Sequence, residues 1–244
     1  MTRAREVSFV LLCLLLPPLG AQAPQVIPLD QEPHHHLVLQ NPAVKVFHVE
    51  LPSRDAFLMH RHDADEVAVL LGAATTVSAS PGQADVLSIS NAADVMFTRS
   101  GYTHSVRNIG QTAYRMVSIE LLQQQTGTYS VCGKQLSDFK TECRAVRAGE
   151  SNAPRADLPQ FATDQILVTL VTIGPHQGAS FGEKDRNTLI ILVDDAVIAP
   201  SGRQGQDQIL PQGSPVWIAR GSAKQDLKND SEKALRVVTI AFNP

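Results

Sequence analysis

Three histidines and one glutamate have the spacing of a metal site. His60 and His62 precede Glu66 in one short segment, and His104 lies further along the chain. Residues 60, 62 and 66 differ by even numbers, so in an extended strand their side chains would leave the same face. Three imidazole nitrogens and one carboxylate oxygen suit Fe(II), Mn(II), Ni(II), Cu(II) or Zn(II) and leave positions open for water or substrate. The spacing therefore predicts a site for one divalent transition metal.

The composition supports a folded protein and argues against a nucleic-acid partner. The chain has 244 residues, 43% of them hydrophobic, and a formal net charge of −3. This length and apolar content are enough for one large or two medium domains. A slightly acidic balance does not favour a nucleic-acid-binding surface, and no apolar run is long enough to span a membrane.

Residues 1–23 have the pattern of an export signal. Arg3 and Arg5 precede the apolar run Val7–Leu16, and Ala21-Gln22-Ala23 offers a cleavage site with small residues. The apolar run is too short for a spanning helix. We therefore expect a protein that is exported to the periplasm or secreted.

Two cysteines remain if this signal is removed. Cys13 belongs to the signal, which leaves Cys132 and Cys143 eleven positions apart (143 − 132 = 11) in a loop-like segment. In an oxidising compartment such a pair favours a disulfide. Two thiolate ligands of a metal are the alternative, but no further cysteine or histidine stands near them in the sequence.

Residues 24–43 have the pattern of an extended N-terminal arm. Several prolines interrupt the segment, which also contains the run His34-His35-His36. Adjacent residues of an extended segment point to alternate sides, so the three imidazoles cannot all converge on one ion. We expect a solvated or partly packed arm, and extra metal ligands are the alternative.

Short strands with turn residues between them fill residues 44–122. The runs Val44–Leu51, Ala56–His62 and Glu66–Leu71 are examples, and many such runs without a convincing helix predict a β-sandwich or barrel. Residues 123–160 are more polar and contain the cysteine pair. They predict a linker with a disulfide.

Residues 161–244 repeat the pattern of the first half. Ala113–Leu121 returns as Ala234–Phe242, and the strand that begins at Glu66 returns at Thr188. The two offsets are 121 and 122 (234 − 113 and 188 − 66). Offsets this similar indicate a duplicated domain.

The second half lacks the ligand residues of the first. The residues that match His60, His62, Glu66 and His104 are Gly182, Lys184, Thr188 and Lys224. The second half therefore keeps the scaffold without the site.

These motifs resemble those of the cupin superfamily, and the mature chain as a whole resembles a bicupin. The family's first motif is a His-x-His pair, a glutamate and a glycine, and its second is Pro-x-Gly-x-x-His-x-x-x-Asn. Arg99 stands where the second motif has proline, and Arg54 where the first has a leading glycine. The residues that match are His60, His62, Glu66, Gly72, Gly101, His104 and Asn108.

The resemblance implies an all-β fold of two tandem jelly-roll barrels, the first over residues 44–122 and the second over 161–244. It also implies a metal inside the first barrel, held by inward-pointing side chains. The family includes dioxygenases, decarboxylating enzymes, sugar isomerases and storage proteins. We expect a metal-dependent oxidoreductase or isomerase acting on a small anionic substrate. The alternatives are a non-catalytic metal or small-ligand binding protein, and an assembly module whose second half serves packing or homo-oligomer formation.

Arginines near the motifs are candidates for binding a substrate carboxylate. Strand parity directs Arg61 and Arg107 away from the histidines. Arg115 recurs as Arg236 in the second half, which favours a scaffold role. Arg99 is the remaining candidate.

The openness of the site separates catalysis from binding. An enzyme needs a cavity that a substrate can enter. If apolar side chains filled that cavity, the non-catalytic hypotheses would be favoured. The side chains that could fill it are those of Met59, Met96, Met116 and Phe97. Asp63 and Asp65, beside the site, are expected to form a solvated turn, and partners that hold the ligand residues in place are the alternative.

Overall fold

In a computed structural model, the described residues form β-strands joined by turns and loops, with one short 3₁₀ helix among them at Leu29–Gln31. Within the described part of the chain, no helix is long and apolar enough to cross a membrane. The residues that the structure describes are 25–130, 135–137, 140–143, 154–199 and 207–243.

Two of the sequence predictions fall on other residues. The export signal over residues 1–23 lies outside the described residues, and so does Cys132. The disulfide between Cys132 and Cys143 therefore stays a prediction.

The described residues of the first half form ten strands. They are Ile27–Pro28 (β1), His35–Gln40 (β2), Val44–Leu51 (β3), His60–His62 (β4), Asp65–Leu70 (β5), Ala74–Ala79 (β6), Val86–Ser90 (β7), Val95–Thr98 (β8), Tyr102–Asn108 (β9) and Tyr114–Leu121 (β10).

The middle segment and the second half contain twelve more described strands. They are Thr128–Ser130 (β11), Gln135–Ser137 (β12), Lys140–Cys143 (β13), Arg155–Thr163 (β14), Ile166–Ile173 (β15), Gly178–Phe181 (β16), Thr188–Leu192 (β17), Ala196–Ala199 (β18), Gln208–Leu210 (β19), Pro215–Ile218 (β20), Gln225–Lys228 (β21) and Leu235–Phe242 (β22).

The strands pair into two sheets in each half. The first half has a five-stranded sheet of order β1-β4-β9-β6-β7 and a seven-stranded sheet of order β12-β13-β8-β5-β10-β3-β2. The second half has a six-stranded sheet, β11-β14-β15-β22-β17-β20, and a four-stranded sheet, β16-β21-β18-β19. Every described pair is antiparallel except β1 with β4. The fold is all-β, two tandem jelly-roll barrels, as the sequence predicts.

Strands also occur in the segments predicted as an arm and a linker. β1 pairs with β4 and β2 pairs with β3, so residues of the arm belong to the sheets of the first barrel. Within residues 123–160, β13 pairs with β8 of the first barrel, whereas β11 and β14 belong to the second. The N-terminal part of β14 is largely solvent-exposed. Such strands need few apolar residues, so their sequence resembles that of a linker.

The seven-stranded and six-stranded sheets pack face to face and share one hydrophobic core. Val67 and Val69 of β5 lie in this shared core, whereas Ala68 and Leu70 point into the first barrel. Across the contact, the rings of Phe97 and Phe161 are 5.3 Å apart. Strands such as β5 and β17 are buried on both faces, so their sequences are mostly apolar and do not alternate between apolar and polar residues.

Polar contacts fix the second barrel against the first. His48 Nε2 donates to the Gly213 carbonyl at 2.8 Å, and the Gln212 side-chain amide donates to the Leu71 carbonyl at 2.7 Å. Gly213 has φ +86°, and a Cβ atom there would lie 3.1 Å from the Leu71 side chain and 3.2 Å from His48 Nε2. Only glycine combines this backbone conformation with so close an approach.

Two buried asparagines occupy equivalent positions in the two barrels (229 − 108 = 121). The Asn108 side-chain amide donates to the carbonyls of Leu51, Pro52 and Thr112. Asn229 likewise donates to three carbonyls, those of Ile173, Gly174 and Lys233. This repeated hydrogen-bond pattern supports the duplication inferred from the offsets.

Candidate metal centre

Strands β4 and β9 bring three histidines together. The strands pair with His60 opposite His104, and His62 lies two residues after His60 on the same face. His60 and His62 are fully buried, and His104 is half-buried. Within the described part of the chain, these three form the one group of side chains with the geometry to hold a metal ion.

The imidazoles face one another through their Nε2 atoms. His62 Nε2 lies 3.2 Å from His60 Nε2 and 3.2 Å from His104 Nε2. A metal bound at about 2.1 Å from each nitrogen would hold neighbouring nitrogens about 3.0–3.4 Å apart in octahedral or tetrahedral coordination. The three atoms therefore have the spacing of nitrogen ligands of a single ion.

The opposite ring nitrogens, Nδ1, all face oxygen atoms. His60 Nδ1 donates to the Leu58 carbonyl at 2.8 Å, which fixes its proton on Nδ1. His104 Nδ1 lies 2.9 Å from the Tyr102 hydroxyl, and His62 Nδ1 lies 3.6 Å from a Glu66 carboxylate oxygen. Histidines that bind metals characteristically direct the other ring N–H at an oxygen, as His60 and His104 do here. His62 Nδ1 faces Glu66 at a longer distance and has no hydrogen-bond partner among the described residues.

The protonation state of His60 suits a ligand. Burial lowers the pKa of His60 to about 4, although the hydrogen bond to Leu58 acts against this and the neighbouring His62 adds to it. His60 is thus neutral near pH 7, with its Nε2 lone pair directed at two other imidazole nitrogens. Nitrogen lone pairs that face each other are stabilised by a shared cation, so the residues fit a metal ion.

Glu66 lies beside the three histidines but not within their group. Ser118 Oγ donates to one carboxylate oxygen, and the other oxygen faces His62. Burial would raise the pKa of Glu66, but His62 and the hydrogen bond from Ser118 outweigh it and hold that pKa below its ordinary value. Glu66 is therefore an anion next to the site, and its predicted role as a fourth ligand stays a prediction.

Glu66 lies on a different strand from His60 and His62, whereas the prediction placed all three on one strand. The expectation placed residues 60, 62 and 66 on one strand face, but β4 and β5 belong to different sheets and a turn separates them. Glu66 points inward because the β5 residues Glu66 and Ala68 alternate with Val67 in the shared core.

The turn between β4 and β5 is anchored by Asp65. The expectation of a solvated turn is wrong for this residue, which is 3% exposed. Its carboxylate accepts from the Ser100 N–H at 2.7 Å and from the Gln125 N–H at 2.9 Å. Asp63 is exposed and pairs with Arg61. Buried carboxylates require such partners, and here they connect the turn to the start of β9.

A cavity of about 50 Å³ lies inside the first barrel next to the histidines. His104 and Glu66 line it together with apolar side chains, and the predicted Met96 and Met116 are among these. Phe97 instead packs in the shared core. The hydroxyl groups that line the cavity belong to Thr76, Ser78, Ser88, Ser90, Thr98, Tyr102 and Tyr114.

No arginine or lysine is among the described residues that line this cavity. Arg61 and Arg107 are exposed, as strand parity predicts, and Arg115 is exposed as well. Arg99 Nη1 lies 3.4 Å from the Asp65 carboxylate. Arg236 pairs with Asp194, which agrees with a scaffold role in the second half.

Sequence reasoning missed two residues of the arm. Glu32 and His35 are buried, and His35 lines the cavity. The neighbours of His35 differ, since His34 is half-buried and His36 is exposed. A signal for the buried pair is present in the sequence as Glu-x-x-His, a carboxylate three residues before an imidazole.

Strand register corrects two of the predicted equivalences between the barrels. His60 opposite His104 in the first barrel corresponds to Phe181 opposite Gln225 in the second. His104 and Gln225 each precede the shared asparagine by four residues (108 − 104 and 229 − 225). The predicted equivalents Gly182 and Lys224 are therefore wrong by one position, because the offset between the halves is not constant along the chain.

Strand register confirms the third predicted equivalence that it tests, that of Thr188 with Glu66. Glu66 lies opposite Glu120, and Thr188 lies opposite Ala241, at the same place in the matching strand pair (120 + 121 = 241). Thr188 thus occupies the position of Glu66. Its hydroxyl is buried without a hydrogen-bond partner among the described residues.

Known structures share this fold. No protein-family model and no curated protein sequence matches the chain. A cupin 2 conserved barrel domain protein from Leptotrichia buccalis is 8% identical, with a TM-score of 0.54 over 86% of this chain and 88% of that one. These similarities are at the level of fold.

Two enzymes are also structurally similar. Oxalate decarboxylase from Bacillus subtilis, described with Mn(II) centres, is 12% identical, with a TM-score of 0.53 over 82% of this chain and 69% of its own. A variant of salicylate 1,2-dioxygenase from Pseudoaminobacter salicylatoxidans, in complex with gentisate, is 8% identical, with a TM-score of 0.54 over 82% and 69%. The neighbours are thus cupin-fold proteins.

The pKa of His60 predicts how the stability of the metal-free protein depends on pH. The folded-state pKa of about 4 lies below the ordinary value of 6.5, so between these values the unfolded chain binds a proton that the folded chain does not. Stability is therefore present above pH 6.5 and is lost as pH falls. His60 should contribute a loss of about 2 kcal/mol between pH 7 and pH 5.

Urea unfolding of chelator-treated protein at these two pH values measures this loss. His60→Gln should remove most of this contribution from the pH dependence, whereas His36→Gln, at an exposed position, should not. An equal pH dependence in the wild type and in His60→Gln would contradict the assignment.

Proposed function

We propose that the first barrel binds one divalent transition metal through His60, His62 and His104, with Glu66 as the fourth ligand. We further propose that the protein is a metal-dependent enzyme acting on a small substrate. The observation that carries the proposal is the convergence of three Nε2 atoms, with successive spacings of 3.2 Å, while the Nδ1 atoms face oxygens. The ligand types are compatible with Fe, Mn, Ni, Cu or Zn.

The bound ion would supply Lewis acidity toward a substrate oxygen or, if redox-active, reactivity with dioxygen. The protein orients the ligands, since Leu58 and Tyr102 fix the rings of His60 and His104. Burial raises the pKa of Tyr102, so that its hydroxyl keeps the proton. Met96, Met116 and other apolar side chains limit the access of water.

The cavity limits the substrate to a small molecule, which we propose to be an anion that the metal binds. A volume of about 50 Å³ has room for only a few atoms. Because no arginine or lysine is among the described lining residues, the metal would be the cation that binds an acidic group. Dioxygenase, decarboxylase and isomerase chemistry all fit this arrangement, and the fold shared with an oxalate decarboxylase and a salicylate dioxygenase supports it.

The second barrel in this proposal is a degenerate cupin domain that packs against the first. Phe181 and Gln225 stand at the positions of His60 and His104, and neither side chain is a usual metal ligand. The shared hydrophobic core supports a scaffold role for this barrel.

The second candidate function is non-catalytic binding of a metal or a small ligand. The small cavity favours it, because Met96 and Met116 occupy space that a larger substrate would need. Oxygen consumption or decarboxylation by the metal-loaded protein would favour the enzyme. Tight ligand binding without turnover would favour the binding protein.

We also propose that the protein is exported. Support comes from Arg3 and Arg5, the apolar run Val7–Leu16 and the small residues Ala21-Gln22-Ala23. Mass spectrometry of the protein recovered after expression with its own N-terminus should show a chain that begins at Pro24. An unprocessed chain, with Val7–Leu16 retained, would contradict the export signal.

The role of Glu66 can be tested by comparing two variants. If Glu66 is a ligand, Glu66→Gln should lower metal affinity by more than about 100-fold. Ser118→Ala removes only the hydroxyl that holds the carboxylate and should lower metal affinity by about 10-fold to 100-fold, as for other residues that orient ligands. Competition with a chromogenic chelator measures both affinities. Losses of equal size would make Glu66 an orienting partner of His62 rather than a ligand.

A further inference from the structure

A buried carboxylate–imidazole pair from the N-terminal arm lies next to the metal cavity. Glu32 Oε2 accepts from His35 Nδ1 at 2.7 Å, and both side chains are at most 1% exposed. Glu32 is itself held by the backbone N–H groups of His34 and Leu58. Burial would raise the pKa of Glu32, but the hydrogen bonds from His35 and His34 lower it to about 2. The carboxylate is therefore ionised and fixes the proton of His35 on Nδ1.

The other ring nitrogen of His35 is not hydrogen-bonded within the described part of the chain. Nε2 is buried and has no hydrogen-bond partner among the described residues. A buried polar atom without a partner is destabilising, so a bound molecule that hydrogen-bonds Nε2 would remove that cost. With Nδ1 directed at Glu32, Nε2 is the ring atom left to hydrogen-bond another group, and a hydroxyl group can be its partner because it can both donate and accept.

His35 lies next to the metal site but is not one of the proposed ligands. Its ring lines the cavity and lies 5.1 Å from the ring of His60, centroid to centroid. Among the described residues, only His60, His62 and His104 have nitrogen atoms close enough together to hold one ion. A molecule bound at the metal is therefore within reach of His35.

We propose that His35 is a positioning residue whose Nε2 forms a hydrogen bond with a hydroxyl group of the molecule bound at the metal. This rests on the proposed metal site. The metal takes the acidic group, since no arginine or lysine is among the described residues lining the cavity, and His35 takes the hydroxyl. The ligand class is then a small hydroxy acid, of a size that fits about 50 Å³.

The test compares glycolate with acetate, two carboxylates that differ by one hydroxyl group. The full chain is loaded with Co(II), whose visible absorption reports both metal binding and ligand binding. The wild type should bind glycolate about tenfold more tightly than acetate, the size expected for one additional hydrogen bond. His35→Phe and His35→Asn should lose this preference, because neither side chain places a hydrogen-bonding atom where Nε2 lies. Both variants should keep the Co(II) affinity of the wild type.

His36→Phe is the matched control, since it makes the same change at the exposed neighbouring position and should retain the preference. A wild type that binds both acids equally, or a preference retained by both His35 variants, would overturn the proposal while leaving the metal site intact. Loss of Co(II) from the His35 variants would make His35 a ligand and overturn its role as a positioning residue. Failure of the wild type to bind Co(II) would instead contradict the metal site itself.

Discussion

The pairing of β4 with β9 in one register determines the geometry of the site. Side chains alternate along a strand, so a slip of one residue would turn His60 and His62, or His104, away from the barrel interior. Two contacts oppose such a slip. The Gly101 N–H donates to the His62 carbonyl at 2.8 Å, and Asp65 connects the turn after β4 to the backbone of Ser100. Gly101 has φ +80°, which a residue with a side chain rarely adopts.

The shared core between the barrels explains what the second half contributes. Continuous apolar strands such as β5 and β17 can be buried on both faces only when a second sheet covers the outer face. Each barrel thus provides the cover of the other. Asn108 and Asn229 keep the same loop closed in both, although Phe181 and Gln225 have replaced the histidine pair. The two barrels thus share the asparagine contact and differ at the positions of the histidine pair.

Much of this arrangement could be predicted from the sequence, because it depends on local patterns. Strand Val44–Leu51 is predicted with its observed bounds, and the spacing of His60, His62 and His104 identifies the three residues that converge. The contacts that depend on distant segments could not be predicted. Asp65 is charged and next to a turn, which is typical of a solvated residue, but its partners come from Ser100 and Gln125.

Burial of His35 likewise depends on the docking of the arm along β3 and β4, which the polar and proline-rich sequence does not reveal. The one-position error at Gly182 and Lys224 has a related cause. A comparison of sequences carries one difference in residue number from a matched motif to its neighbours. The strand register shows where this difference between equivalent positions of the two halves changes.

The central claim is that His60, His62 and His104 hold one metal ion, and elemental analysis tests it most directly. The protein is purified without a polyhistidine tag, since a tag would itself bind metal, and is compared with the His60→Ala/His104→Ala double variant. The account predicts about one transition-metal ion per wild-type chain and its loss in a double variant that remains folded. Absence of metal from the wild type even after reconstitution, or equal metal in both proteins, would contradict it.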